Sequence, residues 1–199
     1  AQLGNNGWGW EQVLPYFKRS EDYSGTAEQA DVYHGVGGAL HVSTVKPTAI
    51  CDMYLKACVD QGIATVDDLN RGNQKGAAYF DVTVKKGRRH STAGAFLRPI
   101  RSRNNLTIMK HSLVNRVLFE GKAAVGVEVV CKGKASNILA RREVIVSAGA
   151  INSPQLLQLS GIGNKALLDR HGITAVVDLP GVGENLQDHL GAVVANHIR

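Results

Sequence analysis

The sequence predicts a chain of mixed class, α/β in one part and α+β in the rest, and three observations carry that expectation. A β-branched apolar run at 143–147 leads through Ala148-Gly149-Ala150 into a helical pattern that ends at Gly161, which reads as a buried strand, a small-residue turn and a helix. Residues 106–110, 113–119, 123–131 and 138–146 alternate apolar and polar, with Glu120-Gly121-Lys122 joining the middle two, which reads as a β-meander. Residues 48–61 carry Ile50, Met53, Tyr54, Ala57 and Cys58 at helical spacing.

Taken in order, Gly7-Trp8-Gly9-Trp10 forms a turn into a short helix over 11–19, with Pro15 tolerated near its start and Trp8, Trp10, Leu14 and Phe17 anchoring it to a core. Residues 24–38 are polar and Gly-rich, a loop leading to a short strand at 39–43. Thr48 caps the next helix and Gly62 ends it, so its apolar side should cover a sheet. Residues 67–76 read as a polar loop and 78–85 as a strand with Tyr79 or Phe80 facing inward. A basic stretch at 87–90 precedes a helix capped by Ser91 or Thr92. In the central unit Asn152 or Ser153 should cap the helix, with Pro154 at its first helical position and Gly161 left-handed at its end. A capped helix at 164–171, a strand at 173–177 and a turn at 180–183 complete the chain.

A length of 199 residues with 44% hydrophobic and 20% charged residues is ordinary globular composition. No run approaches the roughly 20 apolar residues of a membrane span, and no signal peptide opens the chain. The net charge of +6 comes from small scattered groups such as Lys85-Lys86, Arg88-Arg89 and Arg141-Arg142, without aromatic interleaving, so a solvated basic surface is expected and no nucleic-acid partner. Three cysteines without a C-x-x-C pair argue against a disulfide framework or a zinc site, and no metal ligand set is expected. Asn105-Leu106-Thr107 is a glycosylation sequon by pattern alone.

On physics alone the strand, small-residue turn and helix start present free backbone N–H groups to one spot, which suits an anionic ligand such as a pyrophosphate, although plain βα connections look the same. The segment 147–163, Ser-Ala-Gly-Ala-Ile-Asn-Ser-Pro-Gln-Leu-Leu-Gln-Leu-Ser-Gly-Ile-Gly, resembles the second signature of the glucose–methanol–choline (GMC) oxidoreductases. Three further segments agree in order and spacing: 7–21, 87–99 with Gly87-Arg88-Arg89-His90-Ser91-Thr92-Ala93, and 179–189 with Gly181-Val182-Gly183-Glu184-Asn185-Leu186. Their wording is nearest the choline dehydrogenase and FAD-dependent alcohol dehydrogenase branch. The chain starts at Ala1 without a methionine and enters at once a segment that lies well inside members of that family, so it is expected to be an internal fragment.

The resemblance implies part of an FAD-binding GMC fold plus part of a substrate-binding sheet domain: residues 1–100 on the substrate side, 101–163 the meander and signature unit of the FAD domain, and 164–199 a return toward the substrate domain. FAD is the implied cofactor, with Val114 supplying a backbone contact to its adenine and Ala148, Gly149, Ala150, Asn152 and Ser153 forming part of its cradle. The implied reaction oxidises a primary alcohol to an aldehyde by hydride transfer to the flavin, with a small-molecule alcohol as substrate and the electron acceptor and oligomeric state left open. An oxidase using oxygen and a non-catalytic nucleotide- or partner-binding module are the alternatives. The implied location is cytoplasmic or peripheral to the inner membrane. Gly35-Val36-Gly37, Gly161-Ile162-Gly163 and Gly181-Val182-Gly183 all fail as G-x-G-x-x-G fingerprints, and the resemblance implies that the family's His-plus-Asn or His-plus-His pair belongs to a C-terminal region outside these residues, so no catalytic residue is assigned and the fragment alone is expected to be inactive. Asp188 beside His189 is read as structural, since adjacent residues of an extended chain point apart.

Overall fold

The computed structural model describes residues 4–25 and 32–192, and the chain divides into two compact units, Ala1–Thr107 and Ile108–Arg199. Helices alternate with small mixed and antiparallel sheets, as expected for an α+β chain. No helix of the described residues is long and apolar enough to cross a membrane. Of the predicted loop at 24–38, residues 26–31 lie outside the described residues.

The first unit opens with helix α1, Trp10–Ser20, whose Glu11 and Lys18-Arg19 sit at the ends that the helix dipole favours. Pro15 falls inside the helix rather than in its first turn. Strands β1 (Glu21–Tyr23), β2 (Leu40–Thr44) and β3 (Asp81–Val82) form a sheet in that order, with β1 parallel and β3 antiparallel to β2. Helix α2 is Ala49–Asp60; the Thr48 hydroxyl accepts the Cys51 N–H at 3.4 Å, and Gly62 takes a φ of +80° just beyond the end.

Several further expectations for this unit are corrected, and the choice left open between Tyr79 and Phe80 falls to Tyr79. Trp8, Trp10 and Phe17 are exposed, because no described element lies over that face of α1. The apolar side of α2, with Ile50, Met53 and Tyr54, likewise faces solvent instead of covering a sheet. Phe80 is exposed, while the half-buried Tyr79 donates to Asp52 Oδ1 at 2.7 Å and so ties the approach to β3 to the first turn of α2. The single strand expected at 78–85 breaks at Thr83 into β3 and β4 (Val84–Lys85), and β4 turns through Lys86-Gly87, at φ 51° and 71°, to pair with β5 (Arg88–Arg89). Two successive positive φ values are the twist a two-residue hairpin requires, and the sequence signal was the Lys-Gly pair. A five-residue π-helix, Ala93–Leu97, and a 3₁₀ turn, Arg98–Ile100, follow, with the Ser91 hydroxyl accepting the Gly94 N–H at 3.3 Å.

The interior of this unit is polar. His34 is 4% exposed and Asp68 4% exposed. The imidazole Nε2 lies 2.6 Å from Asp68 Oδ2 and Nδ1 lies 3.2 Å from Glu21 Oε2, while the ring stacks on Tyr23 at 3.8 Å. Asp68 also accepts the Asn70 N–H at 2.7 Å and meets Arg71 Nε at 3.3 Å; Glu21 accepts the Gly35 N–H at 2.9 Å. Burial alone would push the His34 pKa down, but the hydrogen bonds to Asp68 and Glu21 outweigh it and raise the pKa above 6.5. For Asp68 burial works upward, yet the Asn70 N–H and His34 outweigh it and hold the carboxyl below 3.8. These ties join β1, the loop before β2 and the loop at 67–76.

In the second unit β6 (Ser112–Glu120), β7 (Ala123–Cys131) and β8 (Lys134–Leu139) form an antiparallel meander. The last strand starts earlier than expected, because Lys132-Gly133, at φ 51° and 77°, closes a two-residue turn directly after β7. The segments 106–110 and 143–147, predicted as strands, belong to no strand and have no ladder partner among the described residues, and Ile145 is 77% exposed. Alternation and β-branching select an extended backbone; a strand needs a neighbour as well. Helix α3 (Gly149–Leu159), strand β9 (Ile162–Gly163), helix α4 (Lys165–Arg170) and strand β10 (Val177–Asp178) follow, with β9 and β10 parallel. The strand expected over 173–177 is thus reduced to a bridge at its end. Asn164 caps α4 by accepting the Leu167 N–H at 3.1 Å.

Two outcomes are expected from the His34 cluster. A His34 pKa raised on folding contributes stability that is complete below about pH 6.5 and is lost as the pH rises through the folded pKa, whereas the lowered Asp68 contributes stability that is lost as the pH falls below about 3.8. Urea unfolding followed by the fluorescence of Trp8 and Trp10, the two tryptophans of the chain, should therefore show a midpoint that declines above about pH 6.5, and His34→Gln should flatten that decline. His34→Ala, which leaves two carboxylates facing each other without a cation between them, should cost about 3–5 kcal/mol by the same measurement.

Candidate functional site

The signature unit folds around the start of α3, and it does so differently from the simplest reading of its residues. Ala148 is the N-cap and Gly149, at φ +91°, turns the chain into the helix. The helix therefore begins before Asn152 and Ser153, neither of which is the cap. Ser153 instead reaches back, its hydroxyl accepting the Ala148 N–H at 2.9 Å. Pro154 lies inside the helix, so the carbonyl of Ala150 has no helical N–H to accept from. The first-turn N–H groups that follow Ala148 have no helical acceptor by construction.

Six residues were expected at the cofactor, and four of them line two cavities of the second unit. Val114, Ala148 and Asn152 line one cavity of about 680 Å³ between β6, the extended segment before α3 and the helix itself. Its walls are largely aliphatic, with Val127, Val146 and Leu156, and Asn115 and Gln155 add amide groups. Ala150 lines a second cavity of about 720 Å³, closed on the other side by the loop Gly183–Gln187, and Gln155 borders both. Gly149 and Ser153 line neither; Gly149 makes the turn and Ser153 holds the N–H of Ala148. A Cβ added to Gly149 would meet nothing within 4 Å, so the turn leaves open space beside the helix start.

The site therefore fits parts of a dinucleotide. Cavities of this size lie within the range of small-molecule sites, an aliphatic wall with amide groups suits a planar heterocycle, and a small-residue turn at a helix start suits a pyrophosphate. No group of three or more potential metal ligands occurs among the described residues.

Two features that the sequence did not signal shape these cavities. The register of β6 on β7 passes from Val114↔Val129 to Arg116↔Glu128, so Asn115 is the extra residue of a β-bulge beside Val114. Asn115 Nδ2 donates to Glu128 Oε1 at 3.2 Å and Arg116 to Glu128 Oε2 at 2.9 Å, which together hold the Glu128 carboxyl below its usual range, Asn115 contributing most. The second feature is Gln158, whose amide donates to the Val182 carbonyl at 3.1 Å and fixes the turn at 180–183 against α3. The Asp188 carboxylate accepts the backbone N–H of His189 at 2.8 Å.

Gly161 ends α3 as expected, at φ +86°, and a Cβ there would lie 2.6 Å from the Thr174 carbonyl oxygen. Gly172 is also left-handed, at φ +68°, but has nothing within 4 Å. Gly161→Ala should thus destabilise the second unit by about 2–4 kcal/mol and Gly172→Ala by about 1–2 kcal/mol, in thermal unfolding followed by circular dichroism.

A family model described as GMC oxidoreductase matches residues 1–191. The chain is 45% identical over 192 residues to a mitochondrial choline dehydrogenase of Mus musculus, covering 96% of this chain and 32% of that protein. It is 46% identical over 193 residues to an oxygen-dependent choline dehydrogenase of Paraburkholderia phytofirmans, covering 96% of this chain and 34% of that one. Among solved structures, an FAD-dependent oxidoreductase from Chaetomium thermophilum superposes with a TM-score of 0.85 at 32% identity, covering 94% of this chain and 34% of that chain. The chain thus spans about a third of the length of the relatives it matches.

Proposed function

We propose, since the chain belongs to the glucose–methanol–choline (GMC) oxidoreductase family, that it is the part of an FAD-dependent alcohol dehydrogenase that supplies one side of the cofactor site and part of the substrate side. The observation that carries this reading is the cavity bordered by Val114, Ala148 and Asn152, which brings a strand residue beside the turn and helix start more than thirty positions later, all at expected cofactor positions. The second unit would hold FAD, and the first unit, with its small mixed sheet, would contribute to the substrate side. Relatives named choline dehydrogenase support a primary alcohol as the substrate class.

Bound FAD supplies the hydride acceptor for alcohol oxidation. The residues of this chain bind and orient. The aliphatic wall from β6 and α3 keeps water from a heterocycle, and the bulge at Asn115, clamped by Glu128, fixes the backbone of Val114 that would meet the adenine. Gly149 allows the backbone to approach the pyrophosphate without a Cβ in the way, and the Ser153 hydroxyl keeps the Ala148 N–H occupied so that the turn stays formed. The location proposed with this function is cytoplasmic or peripheral to the inner membrane.

The test uses the full-length protein. It should purify with bound FAD, and anaerobic addition of a primary alcohol such as choline should bleach the visible flavin absorbance. Reoxidation by a quinone but not by oxygen would mark a dehydrogenase, and rapid reoxidation by oxygen an oxidase; a colourless protein that gains no flavin from added FAD would overturn the reading. Gly149→Val, which places a branched side chain at φ +91°, should lower FAD affinity at least about tenfold in an equilibrium titration.

A further inference from the structure

Strand β6 pairs with β7 along one edge, and its outer edge is met by α3. There the Val117 N–H donates to the Ser160 hydroxyl oxygen at 2.8 Å, and the same hydroxyl donates to the Leu156 carbonyl at 2.5 Å. Ser160 is 6% exposed and Val117 5% exposed, so no water substitutes for either bond at low cost. Ser160 is the C-cap residue of α3, held in place by the left-handed Gly161 that follows it.

This hydroxyl ties together the strand and the helix that wall the cavity, beside the lining residues Leu156 and Leu159. One wall is the start of β6, Ser112 to Asn115, which runs directly into Val117 past the bulge. The other is the α3 face with Asn152, Gln155, Leu156 and Leu159, and Leu156 is the residue whose carbonyl Ser160 engages. A hydroxyl that accepts from the strand and donates to the helix sets the separation of the two at one point. Val114 lies three residues before Val117 on the same strand, across the bulge at Asn115.

We infer that Ser160 is a positioning residue of the cofactor cleft: acting through the Val117 N–H, it sets the spacing between the Val114 wall and α3 and thereby the grip on the adenosine half of FAD. The inference rests on the proposed reading that this cavity holds FAD. Ser160 touches no cofactor atom in this account; it acts through the strand.

The test compares Ser160→Ala and Ser160→Thr in the full-length protein stripped of flavin, titrating FAD and FMN by flavin fluorescence, with hydrogen exchange of the peptide spanning β6 as a structural control. Loss of the acceptor leaves a buried N–H unpaired, so Ser160→Ala should weaken FAD about tenfold and speed exchange in β6, while FMN, which lacks the adenosine half, changes less than about twofold. Ser160→Thr, which keeps the hydroxyl, should restore FAD affinity to within about threefold of the parent. Equal weakening of FAD and FMN, or faster exchange in β6 with FAD affinity unchanged, would reduce Ser160 to a stabilising cap and overturn the inference. If Ser160→Ala fails to fold, Ser160→Cys, a weaker acceptor of similar shape, carries the same comparison, with selective loss for FAD supporting the inference and uniform loss overturning it. Should Asn152→Ala and Val114→Trp both bind FAD as the parent does, the cavity does not hold the cofactor, and the inference falls together with the reading beneath it; if those two weaken FAD and Ser160→Ala does not, the inference alone falls.

Discussion

The second unit depends on one backbone constraint, the left-handed turn at Gly161. Its φ of +86° ends α3, and the Thr174 carbonyl oxygen, which would lie 2.6 Å from a Cβ, leaves room for glycine alone. The Gly161 carbonyl accepts the N–H groups of Val176 and Val177, which brings the later chain beside β9. Immediately before the turn, Ser160 engages β6 and Gln158 engages the Val182 carbonyl. A single helix end therefore registers the meander on one side and the 180–187 loop on the other, and the two cavities lie on either side of the same helix because of it.

The first unit is organised by charge rather than by an apolar core. Tyr23 and Ala95 are its buried hydrophobic residues among those described, whereas Glu21, His34, Asp68 and Arg71 form a continuous polar path. An imidazole ring between two carboxylates, each further held by a backbone N–H, is a case in which desolvation is offset by close pairing. Short strands of two to five residues gain little from their ladders, so these side chains supply the connections that a larger sheet would otherwise provide.

What the sequence revealed divides along a physical line. Features written in adjacent residues were legible: Thr48 and Asn164 as caps, Gly161 and Gly62 as left-handed ends, the order of the meander, and the family segments that give the cofactor. Features that depend on partners distant in the chain were not. His34 meets Asp68 across 34 positions, and nothing in the loops around either residue announces the pairing. The run 143–147 has every local mark of a buried strand, yet a strand is defined by its neighbour, and Ile145 is exposed here. Pro154 looked like a helix start because proline fits best in a first turn, but the positive φ of Gly149 lets the helix begin earlier. The bulge at Asn115 and the bond from Val117 to Ser160 follow from strand register, which hydrophobic alternation alone does not encode.

The histidines of the first unit show why geometry must be read together with protonation. His34 sits between two carboxylates, and His41 lies between Asp22 at 3.0 Å and the Ser24 hydroxyl at 3.2 Å, an arrangement that by distance alone resembles a nucleophile, base and orienting acid. A general base needs a lone pair aimed at the proton it removes. His34 has both ring nitrogens within hydrogen-bond distance of carboxylates, so neither is aimed at a substrate proton. The Ser24 hydroxyl lies 3.2 Å from the Val42 carbonyl, which makes it part of the tie between β1 and β2, and His41 reinforces that tie from the neighbouring strand. Both rings join strands and loops of one small sheet.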